Sequence, residues 1–185
     1  MPIRCLALVL VALPAALPQG LVNGSFEADT DGDGAADGWQ FSGDAGVQAA
    51  LRREQLADGT WCQVLHCTAY ERRGGASHAM LAQVDTINLK RGQWYRFALK
   101  LRGRVVDGAV DVALRNTADW SDLGLNDSYF ETDTWTTHET VFQATADSPP
   151  KHRLQLWWTS VGEVWFDDVV LEEDGPAGCR PQRSG

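Results

Sequence analysis

Trp94-Tyr95-Arg96-Phe97-Ala98-Leu99-Lys100-Leu101-Arg102 alternates: Tyr95, Phe97, Leu99 and Leu101 occupy one phase, and Trp94, Arg96, Lys100 and Arg102 the other. Side chains of a strand point to opposite faces with a period of two, so this stretch reads as a half-buried strand with one wet face. The pattern recurs in Val110-Asp111-Val112-Ala113-Leu114-Arg115, in Leu154-Gln155-Leu156-Trp157-Trp158 and in Thr137-His138-Glu139-Thr140-Val141-Phe142. Turn signals punctuate these runs at Lys90-Arg91-Gly92-Gln93, Arg102-Gly103-Arg104, Asp107-Gly108, Ser148-Pro149-Pro150 and Val161-Gly162. Only Ala49 to Ala57 carries helical patterning, and it reads as either a helical turn or an outer strand. About eight short strands at this spacing predict an all-β fold, a two-sheet antiparallel β-sandwich.

The chain has 185 residues and 44% apolar content, enough for one packed domain and too little for two independent enzyme domains. Its formal charge is −9 and it holds 8 tryptophans. An acidic surface repels phosphate backbones and anionic lipid, so neither nucleic acid nor a membrane is expected as a partner. The first residues stand outside the fold. A basic start ending at Arg4, an apolar run from Cys5 to Leu13 and the small, turn-rich Pro14-Ala15-Ala16-Leu17-Pro18-Gln19-Gly20 form a secretory signal peptide over 1–19, cut between Ala16 and Gly20. The apolar run is shorter than the ~20 residues of a spanning helix. The expected product is a secreted, extracellular or periplasmic sandwich over 20–174, followed by a tail over 175–185.

Signal cleavage leaves Cys62, Cys67 and Cys179, an odd number in a compartment where disulfides persist. If 60–68 is one strand, five residues at ~3.3 Å each separate the α-carbons of Cys62 and Cys67 by ~16 Å, on opposite faces. A disulfide needs about 7 Å or less, so no bridge between them is expected.

Leu21-Val22-Asn23-Gly24-Ser25-Phe26-Glu27 followed by Gly38-Trp39 resembles the start of carbohydrate-binding modules of the type shared by families four, nine and twenty-two. Gln83 with Gly92-Gln93-Trp94-Tyr95-Arg96-Phe97, then Thr134-Trp135-Thr136 with Val141-Phe142, and finally Gly162-Glu163-Val164-Trp165-Phe166-Asp167-Asp168-Val169 keep the order of that family's later strands. The resemblance covers 21–173. It implies a galactose-binding-like jelly roll without catalytic machinery, commonly attached to or secreted beside glycoside hydrolases. Shared fold does not settle ligand choice.

Asp29-Thr30-Asp31-Gly32-Asp33-Gly34-Ala35-Ala36-Asp37 sets carboxylates at alternate positions before a glycine, as in D-x-D-x-D-G calcium loops. Clustered carboxylates repel one another unless a hard cation takes their oxygens. Against a twelve-residue EF-hand loop the match fails at the last position, where Gln40 stands for Glu, and no flanking helices are predicted. A loop-bound structural calcium on Asp29, Asp31, Asp33 and Asp37 is expected. The family resemblance implies a second calcium where first and last strands meet, held by Glu27 with Asp167 or Asp168; which of the pair faces the ion depends on a bulge.

The resemblance assigns Trp39, Trp135 and Trp165 to the scaffold, and Trp158 shares the apolar phase of Leu154 and Leu156. Trp157 and Gln155 take the opposite phase of their strand, and Arg115 is outward on its own, leading into Asn116-Thr117-Ala118-Asp119-Trp120. An aromatic plane stacks on the C–H face of a pyranose, while amide and guanidinium groups bridge its hydroxyls. Trp157, Gln155 and Arg115, with Trp120, Tyr70 or Trp61 at the rim, are therefore expected to bind a polysaccharide or oligosaccharide on one concave sheet face. Glycoside hydrolysis requires two carboxyl groups facing each other at ~5–10 Å. No Glu lies on the predicted concave phase, and the histidines, serines and remaining cysteines show no H-E-x-x-H, G-x-S-x-G or C-x-x-C spacing. The chain is read as a binding module and not an enzyme. The alternatives are a structural or adhesive extracellular domain, and the leading accessory module of a longer glycoside hydrolase. The acidity is local: Glu27, Asp29, Asp31, Asp33 and Asp37 form one base-free stretch, and Asp167, Asp168, Glu172, Glu173 and Asp174 another.

Overall fold

A computed structural model describes residues 20–74, 77–105, 108–130 and 132–174. The expected signal peptide, the C-terminal tail and Cys179 lie outside the described residues. The strands are β1 (Gln40–Gly43), β2 (Val47–Gln55), β3 (Trp61–Tyr70), β4 (Ala79–Val84), β5 (Trp94–Val105), β6 (Val110–Asn116), β7 (Asp122–Tyr129), β8 (Thr136–Gln143), β9 (His152–Trp158) and β10 (Gly162–Asp174). They form two five-stranded sheets, β1-β4-β9-β6-β7 and β2-β3-β10-β5-β8. Every neighbouring pair is antiparallel, which makes the molecule the β-sandwich expected from the alternation. No helix among the described residues is long and apolar enough to cross a membrane.

The two inner faces interdigitate as a two-sheet core requires. Leu154, Leu156 and Trp158 of β9 and Val110, Val112 and Leu114 of β6 are fully buried, and they face Phe97, Leu99 and Leu101 of β5 with Val164 and Phe166 of β10. The ambiguous stretch around Ala49 is strand β2, at a sheet edge and bulged between Gln48 and Ala49. Its hydrogen bonds to β3 decide the matter, since strand preference depends chiefly on the neighbouring surface. Cys62 and Cys67 are free and buried on opposite faces of β3: Cys67 belongs to the main core, Cys62 to an outer cluster with Val64 and Trp165. Burial pushes both thiols up, Cys62 to about 12, so neither is a nucleophile at neutral pH.

The segment before β1 staples the two sheets. Gln83 on β4 accepts from the Val22 amide at 3.0 Å and donates to the Val22 carbonyl. Asn23 donates to the carbonyls of Ala28 and Asp37, and its own carbonyl accepts from the Trp39 indole at 3.0 Å. The Val169 amide of β10 donates to the Gly24 carbonyl at 2.8 Å, and a Cβ on Gly24 would sit 2.0 Å from the Val169 oxygen. Only glycine permits that approach.

Candidate functional site

Strand register decides which outward side chains of the β1-β4-β9-β6-β7 sheet stand beside one another. Residues directly opposite across an antiparallel pair share a face. One row runs Ser42, Met80, Trp157, Asp111 and Ser128; the next runs Gln40, Ala82, Gln155, Ala113 and Asn126. A third holds Val84, Arg153, Arg115 and Asp122. The middle row is low because alanines flank Gln155, and bulky groups stand on both sides of it. Two strand residues per row put the walls about 13 Å apart, and five strands at ~4.8 Å make the trough about 19 Å long. Small residues in the middle row thus produce a groove that crosses the strands.

Two hollows occupy this trough. One of about 680 Å³ is lined by Ser42, Asp44, His78, Arg115, Trp120, Arg153, Gln155 and Trp157 with Gly43. The other, about 380 Å³, shares Arg115, Gln155 and Trp157 with it and extends to Asn126 and Ser128 on β7. A smaller hollow of about 210 Å³ lies on the other flank of Trp157, lined by Tyr70, Arg72 and Ser77 among others. Of the sequence-derived ligand residues, Trp157, Gln155, Arg115 and Trp120 come together, while Tyr70 lines only the small hollow beyond Trp157, its hydroxyl donating to the Ser77 carbonyl at 2.8 Å. Trp61 does not join them. It lies on β3 in the other sheet, under the Arg53 guanidinium at 4.6 Å, with its amide donating to Glu27.

The groove side chains are held from several directions. Arg115 donates to Asp122 and to Asn126, each at 2.9 Å. Arg153 donates twice to the Gln155 amide oxygen, at 3.1 and 3.0 Å, which fixes the amide. His78 packs tilted against Trp157, with 4.1 Å between ring centres and 35° between planes, and its Nε2 lies 3.2 Å from the Ser42 hydroxyl. Trp120 rises from the β6–β7 turn, 58% exposed, with the Arg153 guanidinium 5.0 Å from its ring. Its backbone is left-handed at φ 64°, held by a 2.8 Å bond from its amide to the Asn116 carbonyl. For a bulky residue that conformation costs about 1–3 kcal/mol. Sequence reading missed Arg153, His78, Ser42 and Asp44. Arg153 was accessible to it, two residues before Gln155 in the same outward phase; the other three reach the groove through strand pairing and loops that periodicity does not encode.

The outward face of the second sheet also carries tryptophan and arginine. Trp165 points away from the core but is only 3% exposed. Arg102, Arg104 and Arg52 lie over its ring at 4.4, 5.7 and 6.0 Å, and Arg102 also covers Trp135 at 5.1 Å. Glu54 and Glu163 pair with Arg52, and Glu54 with Arg102 at 3.7 Å. This face is closed.

The two acidic stretches differ. In the loop, one carboxylate oxygen each of Asp29, Asp31 and Asp37 lies within 4.8 Å of the others. Asp33 instead accepts from the Ala35 amide at 2.8 Å, and Arg53 is 3.8 Å from Asp29. On β10 the register breaks between Asp167 and Val170, and Asp168 takes a left-handed φ of 45°. The bulge sends Asp168 to Lys100 at 2.5 Å and leaves Asp167 buried at 7% exposure. Burial, more than the nearby Asp168 and Glu27 charges, pushes the Asp167 carboxyl up to about 6. Its Oδ1 takes the Asp168 amide and Glu27 Oε1 takes the Trp61 amide, so each keeps a second oxygen. A buried carboxylate with spare oxygens beside another acid is a donor set suited to a hard cation.

No family model and no curated protein matches the sequence. Among solved structures, a family-four carbohydrate-binding module superposes with a TM-score of 0.56 at 15% identity, covering 76% of this chain and 97% of its own. The N-terminal cellulose-binding domain of β-1,4-glucanase C from Cellulomonas fimi gives 0.55 at 16% identity, covering 85% and 98%. This chain has the fold of carbohydrate-binding modules. Two joined modules of endo-1,4-β-D-xylanase 10B from Clostridium thermocellum, complexed with xylohexaose, match at 0.51 and 15% identity over 82% of this chain and 28% of that one.

Proposed function

We propose that the protein is a secreted, non-catalytic carbohydrate-binding module that takes a polysaccharide chain lengthwise along the trough. The observation that carries this is the open groove in which Trp157, Trp120, Gln155 and Arg115 converge. Aromatic planes for C–H faces and fixed amide and guanidinium donors for hydroxyls are what a sugar chain requires. An adhesive domain of the same fold has no need of an open, aromatic-walled trough. Two structural calcium sites belong to this reading: Asp29, Asp31 and Asp37 in the loop, and Glu27 with Asp167 at the seam. Calcium there would neutralise carboxylates of which only Asp29 has an arginine within 4 Å among the described residues, and so strengthen the join between the N-terminal segment and β10. A glycoside hydrolase is the natural partner or continuation of such a module.

Affinity electrophoresis through soluble neutral and uronate-bearing polysaccharides tests the reading, with Trp157→Ala and Trp120→Ala beside the wild type. Retardation of the wild type by at least one polymer, lost in both variants, is expected. Wild-type mobility unchanged in every gel would overturn it.

A further inference from the structure

Resting on the saccharide reading of the groove, we propose that its ligand is an acidic polysaccharide, with a uronate carboxylate seated on Arg153. The observations concern charge. Every other half-buried arginine among the described residues has a carboxylate within 4 Å: Arg52, Arg53, Arg96, Arg102 and Arg115. Arg153 has none, and the burial that lowers its pKa is opposed by no neighbouring acid. Burying a guanidinium without a counter-charge is unfavourable, and fold stability alone gives no reason for it.

Geometry indicates what the missing partner is. Two of the five guanidinium N–H groups, on Nε and Nη2, are given to Gln155. No hydrogen bond among the described residues uses Nη1, so the Nη1/Nη2 edge is free for a planar, two-oxygen acceptor. Trp120 covers the guanidinium and offers a stacking plane beside that edge, so ring and carboxylate of one sugar can be engaged together. The charges of the groove are also sorted. Asp111 stands in the Trp157 row; in the row across the trough Asp122 is paired with Arg115, which leaves Arg153 as the uncompensated charge of that wall. A uronate is thereby oriented, with its carboxylate on the Arg153 wall and its neutral hydroxyls toward the acidic wall.

The test is affinity electrophoresis in glucuronoxylan and polygalacturonate against the carboxyl-reduced form of each, with dextran sulfate as a polyanion lacking uronates. At least one uronate polymer should retard the protein about tenfold or more strongly than its reduced form, with the ratio shrinking in high salt. Arg153→Gln should bring that ratio close to one, and Arg153→Lys should restore only part of it, since an ammonium lacks the two-point edge. Melting curves of both variants establish that they are folded. Equal retardation by native and reduced polymers, a ratio unaffected by Arg153→Gln, or equal retardation by dextran sulfate would each overturn the acidic ligand. Tight binding to neutral xylan or glucan with no uronate preference overturns this inference and leaves the saccharide reading standing; retardation by no polymer overturns both.

Discussion

The two outward faces of the sandwich are built from the same residue types and are arranged in opposite ways. On the β2-β3-β10-β5-β8 sheet, three arginines close over Trp165 and glutamates neutralise two of them. On the β1-β4-β9-β6-β7 sheet, alanines in the middle row leave a trough, Trp120 stands in solvent and Arg153 has no counter-charge. Composition does not separate a sealed face from an open one. Side-chain volume in the row between the aromatics, and the supply of carboxylates, do.

Truncating the aromatics should separate the two faces most clearly. Trp165→Ala should cost about 3–5 kcal/mol in urea denaturation, because it empties a buried site, and leave saccharide retardation intact below the transition. Trp157→Ala should do the reverse, abolishing retardation for less than about 1.5 kcal/mol. Similar stability losses for both would show the faces to be equivalent.

The seam gives the next largest effect. A carboxyl held at about 6 against an ordinary 3.8 binds its proton more tightly in the native state than in the unfolded one. Its contribution is therefore favourable at low pH and lost as pH rises through 6, leaving the ion-free protein roughly 3 kcal/mol weaker at neutral pH. Asp167→Asn should raise the melting temperature in EDTA at pH 7.5 and make little difference near pH 4. It should also diminish the rise that calcium gives the wild type. A variant that melts lower than the wild type in EDTA at pH 7.5 would contradict this.

Trp120→Gly should relieve the left-handed backbone, raising stability by about 1 kcal/mol or leaving it unchanged while retardation disappears. A clear loss of stability would show that Trp120 supports the fold. The smallest effect is expected on the sealed face. Glu163→Gln removes one partly exposed partner of Arg52 and should cost under about 1 kcal/mol, measured as a shift of the urea midpoint.

Much of the fold was legible in particular residues. Tyr95, Phe97, Leu99 and Leu101 face the core as their alternation requires, and so do Leu154, Leu156 and Trp158. Cys62 and Cys67 lie on opposite faces, as their spacing within one strand dictates. Ala49 to Ala57 was undecidable because its pattern fits two periods, and pairing with β3 chose between them. In the groove, Gln155, Trp157 and Arg115 were legible as outward residues. Trp61 was misplaced because phase gives a face of a strand but not the sheet to which the strand belongs.

Which side chains point inward, where the chain turns and which residues carry acid all follow from a local period and from composition, and so can be read along the chain. Tertiary structure alone decided which outward residues are neighbours. Gln40, Ala82, Gln155, Ala113 and Asn126 come from five different strands, and hydrogen-bond register is what aligns them into one floor. It likewise decided that Asp168 finds Lys100 while Asp167 is buried, and that Arg153 alone among the half-buried arginines described is left without an acid. Charge compensation depends on distances between residues far apart in the chain, which no local pattern records.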